Sequence, residues 1–69
     1  MRTRKWVAIN DKNQNFLIDE DGKVGFYLFV YENGNTRCTY DYLQDTLEMA
    51  KLQALEDFGV SESAWKQVE

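Results

Sequence analysis

Between Val24 and Glu32 the chain alternates one apolar set with another, where a half-buried strand would alternate apolar with polar. Successive side chains on a strand point to opposite faces. Val24, Phe26, Leu28 and Val30 therefore share one side, and Tyr27, Phe29 and Tyr31 the other. This segment is predicted as the third and longest strand. Lys5 to Ile9 predicts a first strand, and Phe16 to Asp19 a short second one beyond a polar loop. Asp19-Glu20-Asp21-Gly22 has turn composition. Asn33-Gly34 is a hairpin signal, because a type I′ turn needs positive φ at both central positions. Asn35 to Tyr42 then forms a fourth strand, antiparallel to the third.

A helix is expected from near Asp45. Asp45-Thr46-Leu47-Glu48 has capping-box spacing, with an acid at the cap and Glu three residues later. Leu47, Ala50, Ala54 and Phe58 fall on one stripe at the helical period, and the two alanines permit close approach to a sheet. Leu55 lies at the edge of that stripe, while Met49 and Leu52 project to the opposite side. Gly59 suits the left-handed position that ends a helix. Ser61 or Ser63 can open a short helical turn, and Trp65 is expected to fold back over the end of the core. The predicted fold class is α+β: a single domain over residues 1–69, with a three- or four-stranded antiparallel sheet packed against one C-terminal helix and a short final helical turn.

One helix covers one face of a sheet, so the other apolar face needs a separate cover. If Asn33-Gly34 makes a two-residue loop, Tyr31 lies opposite Thr36, Phe29 opposite Cys38 and Tyr27 opposite Tyr40. Cross-strand partners share a face, so Cys38, Tyr40 and Tyr42 would join the odd-numbered aromatics. A one-residue bulge reverses this parity. The aromatic platform has three readings. It is the core face under the helix, with Phe26, Leu28 and Val30 left open. It is a dimer interface, where Tyr and Phe are enriched. Or it is a stacking platform for single-stranded nucleic acid. Tyr27, Phe29, Tyr31 and Tyr40, with Met49 and Leu52 on the outer side of the helix, are the candidate interface residues.

Sixty-nine residues bury a modest core, and a chain this short is marginal without a staple or a partner. Cys38 is the only cysteine and histidine is absent, so neither an internal disulfide nor a structural zinc site is expected. Catalysis by a Ser/His or Cys/His pair lacks its base. Cys38 beside Arg37 reads as a small hydrophobe of the hairpin. Asp19, Glu20 and Asp21 beside Gly22 suggest a calcium loop, but that alignment puts Leu17 and Leu28 at the first and last ligand positions. No catalytic, metal or cofactor site is expected. The formal net charge of −4 counts against nucleic acid and favours a basic partner. Arg2, Arg4 and Lys5 precede an apolar run that stops at Asn10, too short for a secretory signal. They read as a solvated strand end, and the expectation is a cytoplasmic protein with a reduced thiol and no membrane segment.

Asp45 to Val60, followed by Trp65, resembles the end of several small bacterial proteins that share a hairpin, a "TLE-x-AK" helix, "FGV" and a Trp. That resemblance implies no activity. The hairpin followed by Asp45-Thr46-Leu47-Glu48 and Ala50 is also similar to HicB-type antitoxins, which carry a proline- and glycine-containing segment between sheet and helix. Here Tyr40-Asp41-Tyr42-Leu43-Gln44 occupies that place, without proline and without a DNA-binding addition. The expected function is a non-enzymatic interaction module that self-associates as a homodimer through its second apolar face. The alternatives are an acidic, antitoxin-like inhibitor of a basic protein and a single-stranded nucleic-acid binder.

Overall fold

In the computed structural model, which describes residues 3–32 and 38–69, four strands form an antiparallel meander: β1 (Lys5–Ile9), β2 (Asn15–Asp21), β3 (Gly25–Tyr31) and β4 (Cys38–Gln44). Helix α1 (Leu47–Phe58) follows, then a 3₁₀ turn (Glu62–Ala64) and a two-residue strand β5 (Lys66–Gln67). The sheet order is β4-β3-β2-β1-β5. The α+β class and the single helix are as expected. The fifth strand is an addition: the tail returns antiparallel to β1 and pairs Trp6 with Gln67 and Val7 with Lys66.

Two turns differ from expectation. Strand β2 runs on through Asp19, Glu20 and Asp21, and the turn is made by Gly22, Lys23 and Val24. The Asp21 carboxylate accepts from the N–H groups of Lys23 at 2.9 Å and Val24 at 3.3 Å. That bonding holds the turn two residues later than its composition suggested, and exposed Val24 drops out of the strand. Gly25 takes φ +139°, and an added Cβ there would collide with the backbone carbonyl of Gln44. The Asn33-Gly34 turn and Thr36 lie outside the described residues.

The helix cap is Thr46, one residue beyond Asp45. Its hydroxyl accepts from the Met49 N–H at 3.1 Å, so Glu48 sits in the first turn without a reciprocal box. Gly59 ends α1 at φ 70° as expected, and the Val60 N–H reaches the Ala54 carbonyl. Ala50 and Ala54 are fully buried, which lets the helix lie close on the sheet, with Leu47 and Phe58 at its flanks. Asn10 ties this layer to the β1–β2 turn. Its amide donates to the Phe58 carbonyl at 2.9 Å, and its carbonyl oxygen accepts from the N–H groups of Lys12 and Gln14.

The core lies entirely on the helix side of the sheet. Trp6, Ala8, Phe16, Ile18, Leu28, Val30 and Val60 are buried there. Phe16 meets Phe58 and Trp65 with ring centroids at 5.4 and 6.4 Å, so Trp65 closes the end of the core as expected. Arg4 does more than terminate a strand: its guanidinium lies 5.0 Å from the Trp6 ring centroid and pairs with both carboxylate oxygens of Glu20. Lys5 lies 3.5 Å from the Glu69 carboxylate.

Candidate functional site

Because every core side chain on β1, β2 and β3 is even-numbered, the odd-numbered set points away from the helix. Cross-strand register arranges that set in rows. One row runs Asp41, Phe29, Leu17, Val7, Lys66 across all five strands. The next runs Leu43, Tyr27, Asp19, Lys5, and a third includes Tyr31, Asn15 and Ile9. Val7, Ile9 and Leu43 are 38%, 53% and 46% exposed. Tyr27, Phe29, Tyr31 and Leu17 are half-buried by one another, the Tyr27 and Phe29 rings stacking at 5.7 Å and 14°. The helix packs on the opposite face, and Val60 and Trp65 join it there. Of the three readings of the aromatic platform, that of a core face under the helix is therefore overturned: Phe26, Leu28 and Val30 take that role.

The β3–β4 register also departs from expectation. Tyr27 pairs with Leu43, Phe29 with Asp41 and Val30 with Tyr40, and the ladder shifts between Val30 and Tyr31, which pairs with Cys38. Thr39 is the extra residue, and its hydroxyl accepts from the Glu32 N–H at 3.2 Å. A slip by an odd number of residues exchanges faces. Tyr40 and Tyr42 consequently lie on the helix side, stacked on each other at 6.5 Å and set against Phe58 at 5.9 and 6.3 Å. They do not join Tyr27, Phe29 and Tyr31.

The six candidate interface residues thus occupy three places. Tyr27, Phe29 and Tyr31 form the centre of the open sheet face. Tyr40 sits at the rim of the core beside Phe58. Met49 and Leu52, 46% and 51% exposed, lie on the outer side of α1 as their spacing predicted, beside Gln53, Glu56 and Asp57. Sequence reasoning missed Val7, Ile9, Leu17 and Leu43 as members of the open face. Their parity in the ladder was the signal, and it becomes visible only once the strands are paired.

Charge on the open face is graded. Asp19 and Asp21 on β2 and Asp41 on β4 face the same side as Lys5 on β1 and Lys66 on β5. A shallow depression of about 640 Å³ adjoins this end, lined by Asp19, Glu20, Asp21, Tyr27 and Phe29 together with Thr3, Gly22 and Lys23. Side-chain and backbone hydrogen bonds from Arg4 hold the Glu20 carboxyl below the usual glutamate range, against the opposing effect of desolvation. Among the described residues no group of three or more His, Cys, Asp or Glu is placed to hold a metal ion, and no helix is long and apolar enough to cross a membrane.

Comparison with protein-family models, with curated proteins and with solved structures finds no match to this chain.

Proposed function

We propose that this chain is a non-enzymatic interaction module that pairs with a second copy of itself through the open sheet face. The observation that carries this is the set Val7, Ile9, Leu17, Tyr27, Phe29, Tyr31 and Leu43, which shares one side of the sheet while the helix and tail cover the other. An apolar patch of this kind, rimmed by polar residues, is often a functional surface. A second copy is favoured as the cover because the face is self-complementary, carrying acids on β2 and β4 and lysines on β1 and β5. Aromatic and aliphatic side chains at the centre with charges at the rim match the anatomy of an association surface. Five strands at their usual spacing present roughly 500 Å² per copy. About 1,000 Å² in total is at the lower edge of specific interfaces, the size class of weak, reversible association.

Sedimentation equilibrium tests the proposal. A reversible monomer–dimer equilibrium is expected between low and high micromolar concentration, shifted toward monomer by Phe29→Ser. A strict monomer throughout that range would remove self-association.

Asp19 and Asp21, which line the depression beside Tyr27 and Phe29, favour a second reading, an antitoxin-like inhibitor of a basic protein. Carboxylates flanking aromatic faces suit Lys and Arg side chains. The same acids repel phosphates, so single-stranded nucleic acid is the least favoured occupant.

A further inference from the structure

We propose that two copies stack open face to open face about a two-fold axis that runs parallel to the strands and passes over Leu17. This rests on the self-association proposed above and specifies its geometry. The row Asp41, Phe29, Leu17, Val7, Lys66 carries an acid at one rim, a base at the other and three apolar side chains between them. Both Asp41 and Lys66 are exposed.

A two-fold axis along the central strand β2 inverts the left-to-right order of the strands while keeping the rows in line. Strand β4 of one copy then lies over β5 of the other, β3 over β1, and β2 over β2. Asp41 faces Lys66 twice, Phe29 faces Val7 twice, and Leu17 meets its own copy. The other in-plane axis, across the strands, lays β4 on β4 and β5 on β5. It brings Asp41 toward Asp41 and Lys66 toward Lys66 and forms no opposite-charge pair at the rim, where the axis along β2 forms two. A sideways-shifted, head-to-tail stacking leaves the apolar face unsatisfied at its ends and does not close.

Aligned sheets cross at about 30°. With the rim strands about 10 Å from the axis, this displaces the rim rows by about 5 Å. The lysine side chain spans that distance. In the next row Lys5 falls beneath the partner's Tyr27 ring, a favourable placement for a cation. Asp19 faces its own copy, with Lys5 beside it in the same sheet. Asp21, two residues further along β2, faces its own copy as well, so Asp19 and Asp21 are the repulsive elements on the axis.

Charge exchange at the rim tests the arrangement. Dissociation constants are measured by sedimentation equilibrium at low salt for the unchanged chain, Asp41→Lys, Lys66→Asp and the double variant, with circular dichroism to establish that each folds. Each single exchange turns two attractive pairs into two repulsive ones, so affinity falls about tenfold. The double exchange returns it to within about twofold of the unchanged chain. Asp19→Asn strengthens the dimer. Single exchanges without effect, additive losses in the double variant, or weaker pairing of Asp19→Asn would overturn this axis while leaving self-association in place. A monomeric unchanged chain would overturn both.

Discussion

Leu17 and Ile18 are adjacent residues of equal carbon count on opposite faces of β2, and they provide an internal control for which face is the core. Ile18 is fully buried against the helix layer, whereas Leu17 is half-buried on the open side. Truncating a fully buried Ile to Ala costs about 2–5 kcal/mol, through lost transfer energy and the cavity left behind. A domain of this length has about 3–10 kcal/mol in total, so Ile18→Ala removes a large fraction of it. With a urea slope of about 1 kcal/mol per molar, the midpoint falls by about 2 M or more. Leu17→Ala removes only the part of the side chain that its sheet neighbours cover, about 1 kcal/mol or less in the free copy. The assay is urea unfolding followed by far-ultraviolet circular dichroism at low and at high micromolar protein. The Ile18→Ala loss should be independent of concentration. The Leu17→Ala loss should be small when dilute and grow when concentrated, because association stabilises the native state by mass action. Equal losses for the two variants in dilute solution would refute the assignment of faces.

Gly25→Ala should lower Tm by about 10 °C or more, since the positive φ and the nearby Gln44 carbonyl act together against a side chain there; an unchanged Tm would show that the β2–β3 turn relaxes freely. Glu20→Gln probes the exposed pair with Arg4. The folded-state pKa of Glu20 is depressed, so its contribution is present above the ordinary glutamate pKa and is lost as pH falls through the lower folded value. The variant should therefore melt below the unchanged chain at neutral pH, with the gap closing as the pH falls below the ordinary glutamate range. A gap that stays constant or widens on acidification would show that Glu20 acts by other means.

Local patterning made most of the scaffold legible. Apolar runs marked β1 and β3, the alanine-lined stripe and Gly59 marked α1, and the off-stripe Met49 and Leu52 were placed outside it. What escaped was set by pairing or by competition among near-equivalent residues. Asp45 and Thr46 both suit a helix cap, and it is the Thr46 hydroxyl that accepts from the Met49 N–H. Strand β5 has two residues, Lys66 and Gln67, too few to show any period, and exists because β1 offers it a free edge. The bulge at Thr39 has no local signature, yet it moves Tyr40 and Tyr42 from one face to the other. The open surface was legible in its aromatic half, Tyr27, Phe29 and Tyr31. Its aliphatic half depended on the β1–β2 and β2–β3 registers, which are long-range facts.

The backbone bond from the Lys5 N–H to the Glu69 carbonyl, with Val68 donating back to Lys5, lays the two extremities of the described chain side by side. A few glycines joining residue 69 to residue 3 would turn β5 and β1 into an ordinary hairpin. The molecule could then be cut open at Gly22 and Lys23, yielding a circular permutant whose new ends sit at the far tip of the β2–β3 turn.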